Sequence, residues 1–189
     1  MPAQLDILTV GYATDRVAGT VVAIRDADFV AVVDPGMVAG RHLILDPLSG
    51  LGLSADAVTD VVFSHHHPDH TLNAALFANA RFHDFQATYH EDVWEDRQWS
   101  GDSSQLSESV RLLRTEGHTA EDVSTVVETA AGLVVCTHLW WTADGPADDP
   151  FAPDRDVLRA SRQKVLDLRP ALIVPGHGAP FAPAPTTPL

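Results

Sequence analysis

The chain has 189 residues, 45% hydrophobic and 20% charged, a composition that suits one packed domain and excludes a mostly disordered, collagenous or disulfide-rich protein. Against 26 Asp and Glu stand only 12 Lys and Arg, a formal charge of −14; nucleic acid and an anionic membrane surface both reward a basic face, and neither is expected as a partner. The single cysteine, Cys136, cannot close an internal disulfide, residues 1–6 lack the features of a secretory signal, and no apolar run approaches the ~18 residues of a membrane span, so a cytoplasmic location is the expectation.

Residues 5–10, 20–25 and 29–33 are β-rich runs separated by turn residues, and they predict an antiparallel opening that ends at Asp34-Pro35-Gly36. Ser54 is placed to cap a short helix, and the β-branched and aromatic run 61–63 reads as a buried strand. That strand leads into Ser64-His65-His66-His67-Pro68-Asp69-His70, followed by Leu72, Ala75 and Leu76 at helical spacing, so the polar cluster belongs to a strand-to-helix loop. The polar stretch 94–105 reads as a surface loop and a candidate cover for a site. Residues 110–113, 124–127 and 133–136 are strand-like, with Gly117-His118-Thr119 between the first two and His138 just past the third. Asp154 is expected to cap a helix that turns Leu158, Ser161, Val165 and Leu168 inward and stops at Pro170. A last strand, 172–174, enters Pro175-Gly176-His177-Gly178. Residues 1–180 are read as a single domain and the Pro-rich tail 181–189 as disordered.

Seven of the 10 histidines, His65, His66, His67, His70, His118, His138 and His177, fall at or just past predicted strand ends, where side chains converge on one rim. His65 and His67 are two apart and project to one side of an extended segment; Asp69 and His70 follow on the turn. Imidazole nitrogen with one carboxylate oxygen suits zinc, and also iron, manganese or nickel. A lone His42, His83 or His90 is read as surface or as a satisfied core residue.

At this point the chain resembles the metallo-β-lactamase fold hydrolases, over residues 5 to about 181, and the stretch 117–124 and the ending 169–178 look like a compact animal member of that group. The resemblance implies an α/β fold, a four-layer αββα sandwich with the metal site at one edge of two packed sheets. It implies that His65, His67 and His118 hold a first metal and Asp69, His70 and His177 a second, zinc in the family's usage, and that Asp34 supports them from behind. One position departs. Where the family places a bridging Asp after the strand 133–136, this chain has His138, and a neutral imidazole has one lone pair where a carboxylate has two oxygens. His138 is expected to join Asp69, His70 and His177; the alternatives are a single firmly held metal, or Asp144 as the oxygen donor.

The function implied is hydrolysis, in which a metal lowers the pKa of its water toward ~7 and Asp69 orients the resulting hydroxide toward an ester, thioester, lactone, amide or phosphoester bond of a small molecule. Iron-dependent redox chemistry of the dioxygenase type and non-catalytic metal binding are the alternatives. Cys136 is expected to be a buried, inert thiol. Among the aromatics Trp94, Trp99, Trp140 and Trp141, packing is the expected role, with a substrate wall as the rival for the last two; Arg41 and His42 are minor candidates for an anionic substrate.

Overall fold

The computed structural model describes residues 2–189. Among the described residues fourteen strands and three α-helices follow one another as β1 (Gln4–Thr9), β2 (Tyr12–Ala13), β3 (Val17–Ala18), β4 (Val21–Asp26), β5 (Phe29–Val33), α1 (His42–Gly50), β6 (Asp60–Val62), α2 (Pro68–Thr71), β7 (Arg81–His83), β8 (Ala87–His90), β9 (Val93–Asp96), β10 (Ser103–Gln105), β11 (Val110–Arg114), β12 (Val123–Thr129), β13 (Gly132–Thr137), α3 (Arg155–Asp167) and β14 (Leu172–Pro175). One sheet runs β1-β4-β5-β6-β7-β8-β9, a second β10-β11-β12-β13-β14, and β2 pairs with β3.

The side-chain alternation of the strands sorts the apolar residues into three cores. Val22, Ile24, Ala31, Val33 and Val62 of the first sheet meet Leu112, Val127, Val134, Cys136 and Val174 of the second in the central core. The neighbours Val21, Ala23, Val32 and Val61 face outward under Ile44 and Leu48 of α1, while Val126, Val135 and Ile173 face outward under Leu158 and Val165 of α3. The result is helix, sheet, sheet, helix, the expected αββα order. It also explains why the central strands read as unbroken apolar runs, since both of their faces are covered.

Three strand junctions matter for the site. β5, β6 and β7 are parallel neighbours, and so are β13 and β14. Parallel strands bring their C-terminal ends to the same edge, and the segments leaving β5, β6, β13 and β14 begin with or soon reach Asp34, His65, His138 and His177.

Several local expectations are corrected. Ser54 makes no side-chain cap and precedes only a 3₁₀ turn, Ala55–Ala57. The helix after the histidine cluster is one turn, α2, and a separate 3₁₀ turn, because Asn73 is drawn aside: its backbone N–H donates to Pro35 O at 2.8 Å and its side-chain amide to Gly36 O at 2.6 Å. The stretch 94–105 is no cover for the site. It takes in most of β9 and all of β10, and Trp99 packs against Phe85 and under the Arg114 guanidinium, 4.6 Å from the ring centre. Beyond β14, Phe181 and Ile173 exchange backbone hydrogen bonds at 2.8 and 2.9 Å, and Pro188 O accepts from the buried Trp140 indole at 2.8 Å, giving that N–H the partner it requires. By contrast Asp154 caps α3 as expected, accepting from the N–H groups of Asp156 and Val157 at 2.8 and 3.2 Å.

Candidate metal centre

Two main groups of donors meet at the sheet edge, and His118, His138 and Asp149 form a third that overlaps both. The ligand atoms of His65, His67 and His118 lie within 4.8 Å of one another, and so do those of Asp69, His70, His138 and His177. All seven sequence candidates are therefore brought together, His138 with the second group. Within the groups His67 Nδ1 faces His118 Nε2 at 3.0 Å, His138 Nε2 faces His177 Nε2 at 3.2 Å, and Asp69 Oδ2 stands 3.2 Å from His70 Nε2 and 3.6 Å from His177 Nε2.

The outward-facing ring atoms fix which nitrogen carries hydrogen. His177 Nδ1 donates to Ala18 O at 2.9 Å, His70 Nδ1 to Asp34 Oδ2 at 2.9 Å, and His118 Nδ1 to Asp149 Oδ2 at 2.7 Å. Ser64 Oγ spends its hydrogen on Asp34 Oδ2 at 2.7 Å and so accepts from His65 Nδ1 at 3.0 Å. In each neutral ring Nε2 is then a bare lone pair aimed inward. His65 Nε2 is buried with no partner at all, as is His138 Nδ1. Each buried ring nitrogen left without a partner costs about 1–3 kcal/mol; a cation beside it removes that loss. The donor set thus fits divalent metal, six imidazoles and one carboxylate in the borderline range of zinc or iron.

The electrostatics agree. Burial and the neighbouring rings drive His65 and His138 far below the ordinary imidazole range. Burial also resists charge on His70, yet the Asp34 and Asp69 carboxylates on its two sides push it up to about 9, and Asp69, against its own burial, is held down to about 2 by His70. The Asp34 and Asp69 carboxylates thus concentrate negative potential at His70, where a cation would be favoured in place of a proton.

Backbone shape serves the cluster. Asp34 sits at φ 51° after β5 and accepts from the N–H and hydroxyl of Ser64, both at 2.7 Å, tying the β5 turn to the histidine loop. Gly176 has to be glycine, because a Cβ there would collide with the His138 ring. That ring lies between the two groups, its centre 4.1 Å from that of His118 and 4.7 Å from those of His65 and His70.

A cavity of about 290 Å³ opens onto the donors, walled by Ala13, Val17, Pro68, Trp141 and Phe151. Trp141 is thus a wall residue, whereas Trp140 is core, fully buried beside Arg162. Other candidates fall away from the site. Asp144 is exposed and outside both groups, His66 turns outward to Asp84 at 3.1 Å, and Arg41 and His42 do not line the cavity. Cys136 is buried in the central core, its thiol pushed up by burial. Sequence reasoning missed Asp149 and Phe151, which lie 31 and 33 positions beyond His118 on an irregular segment, with no spacing to mark them.

The sequence profile of the Metallo-beta-lactamase superfamily matches residues 14–133. The chain is 27% identical over 197 aligned residues to "Metallo-beta-lactamase domain-containing protein 1" of Xenopus laevis, covering 95% of this chain and 82% of that protein. It is 35% identical over 162 residues to the human protein of the same name, covering 79% of this chain and 58% of the human one. In three dimensions it matches a metallo-beta-lactamase-type protein of Thermotoga maritima with a TM-score of 0.74 and 25% identity, over 97% of this chain and 100% of the other. With the profile spanning more than half of its length, the chain belongs to the metallo-beta-lactamase superfamily.

Proposed function

We propose that this protein is a metal-dependent hydrolase of small molecules, with His65, His67 and His118 holding one divalent ion and Asp69, His70, His138 and His177 a second. The observation that carries this reading is the set of inward nitrogens of His65, His70, His118 and His177, each fixed by an outward hydrogen bond to Ser64, Asp34, Asp149 or Ala18. Two zinc ions bound there, or iron or manganese in their place, would supply Lewis acidity and a nucleophile from water at neutral pH. Asp69 is the single carboxylate in the donor set and orients the attacking water, taking up its proton as the bond forms. Trp141 and Phe151 exclude bulk water and seat the apolar part of the substrate. The bond attacked is an ester, thioester, lactone, amide or phosphoester. Walls of Ala, Val, Pro, Trp and Phe rather than Lys or Arg favour a small molecule over nucleic acid. The lone thiol buried in the core supports a reducing, cytoplasmic setting.

Six imidazoles against one carboxylate also favour a second reading, iron-dependent redox chemistry. The deciding experiment is turnover of fully metallated protein on activated esters, lactones and a phosphodiester, beside oxygen consumption. Hydrolysis lost on Asp69→Ala is expected. Oxygen uptake without hydrolysis would give the redox reading, and inactivity in both assays a metal-binding protein without catalysis.

A further inference from the structure

Asp149 is an acidic side chain buried without any basic partner in hydrogen-bond contact except a histidine: its residue is 2% exposed, and its carboxylate makes three bonds. Oδ2 accepts from His118 Nδ1 at 2.7 Å and from the Trp141 indole at 2.8 Å, and Oδ1 accepts from the Phe151 backbone N–H at 2.9 Å. Its three partners are thus one donor of the first metal group and the two aromatic residues of the cavity wall. The segment is braced from outside by Arg162 of α3, which donates to Leu139 O at 2.9 Å, Ala147 O at 3.0 Å and Pro146 O at 2.6 Å.

We propose that Asp149 is the positioning residue of the first metal site, holding His118 as the Nδ1–H tautomer with Nε2 toward the metal and locking the Trp141–Phe151 wall to that same imidazole. The inference rests on the ligand set proposed above and adds what keeps it in place. Two physical arguments support it. A carboxylate behind a ligating imidazole fixes its tautomer and raises its basicity, and loss of such a partner costs about 10- to 100-fold in metal affinity. The first group consists of three imidazoles and brings no negative charge of its own, and Asp149 holds one directly behind His118, as Asp34 does behind His70. All three bonds to Asp149 are accepted ones, so its isostere cannot replace it: in either orientation the amide of an asparagine would point N–H at N–H, toward Phe151 or toward His118 and Trp141.

The test compares zinc affinity by competition with a chromophoric chelator, and the ring tautomer of His118 by long-range ¹⁵N–¹H correlation, in the full chain and in Asp149→Asn and Trp141→Phe. We expect zinc-loaded wild type to show His118 with a proton on Nδ1 only. Asp149→Asn should weaken the first zinc about 10- to 100-fold and mix the His118 tautomers. Trp141→Phe, which removes one donor and leaves the carboxylate on His118, should alter the near-ultraviolet circular dichroism while first-site affinity is kept. Wild-type protein with His118 protonated on Nε2 overturns the proposal whether or not any variant folds. Asp149→Asn with wild-type affinity and tautomer overturns it alone, leaving the ligand set standing, and wild-type protein that takes up no zinc overturns both.

Discussion

Two clusters of buried histidine and aspartate lie on the first sheet and its edge, and they behave in opposite ways. Around His83 every polar atom has a complement: Nε2 donates to Asp60 Oδ1 at 2.7 Å, Nδ1 accepts from Thr88 Oγ1 and Arg97 at 3.1 and 3.3 Å, and Asp60 also accepts from Thr59 at 2.6 Å and Arg81 at 2.9 Å. At the sheet edge His65, His70, His118 and His177 are satisfied on their outer nitrogens, while His65 Nε2, His70 Nε2 and His138 Nδ1 are buried without a hydrogen-bond partner. Residue type and burial are alike in the two places. The difference lies in whether donors and acceptors close among themselves, and a cluster that does not close is one that awaits a ligand.

Removing an inner nitrogen should have the largest effect. His65→Ala or His67→Ala is expected to abolish turnover and strip metal, measured as metal per chain and rate on an activated ester; full metal content and activity in either variant would break the contrast. His138→Asp sharpens it: a carboxylate restored between the two groups should tighten the second ion, read by titration calorimetry, and unchanged affinity would place the bridging position elsewhere. In the closed cluster, His83→Ala should cost about 1–3 kcal/mol of unfolding free energy by leaving Asp60 short of a donor, with metal content intact.

The pH dependence of the metal-free protein follows from the same open cluster. Burial and mutual repulsion lower His65, His67, His138 and His177 relative to the unfolded chain, so the unfolded state binds the extra protons and stability, whole above the ordinary imidazole value of 6.5, falls as pH drops below it. His70 acts the other way: raised to about 9, it contributes stability below 6.5 that is lost as pH rises through about 9. Four rings against one predict a denaturation midpoint lower at pH 5.5 than at 7.5 after chelation, and a flat profile would contradict the assignment of neutral inner rings. The smallest effect is expected at Asp144→Asn, an exposed position, where metal content is unchanged and stability moves by no more than about 0.5 kcal/mol.

Much of the site was legible because its donors sit at the ends of strands whose two covered faces make unmistakable apolar runs: Val61-Val62-Phe63 before His65, Leu133-Val134-Val135-Cys136 before His138, Leu172-Ile173-Val174 before His177. What escaped has a physical reason in each case. Helix α1 carries Pro47, which lacks the N–H for Leu43 O, and the defect is answered from afar by Thr9 Oγ1, which donates to that carbonyl at 2.6 Å. β9 is wholly exposed and held by pairing with β8, so it shows no apolar alternation. Asp149 is defined only by three partners on an irregular segment and by contact with His118, which no local pattern encodes.

The most direct measurement is the molar metal content of protein purified without chelator or His-tag, by elemental mass spectrometry, beside the His65→Ala variant. The account predicts about two divalent ions per wild-type chain and a clear deficit in the variant. Wild-type protein that carries no metal and takes up none from added zinc, iron or manganese, or a variant that binds as much as wild type, would contradict it.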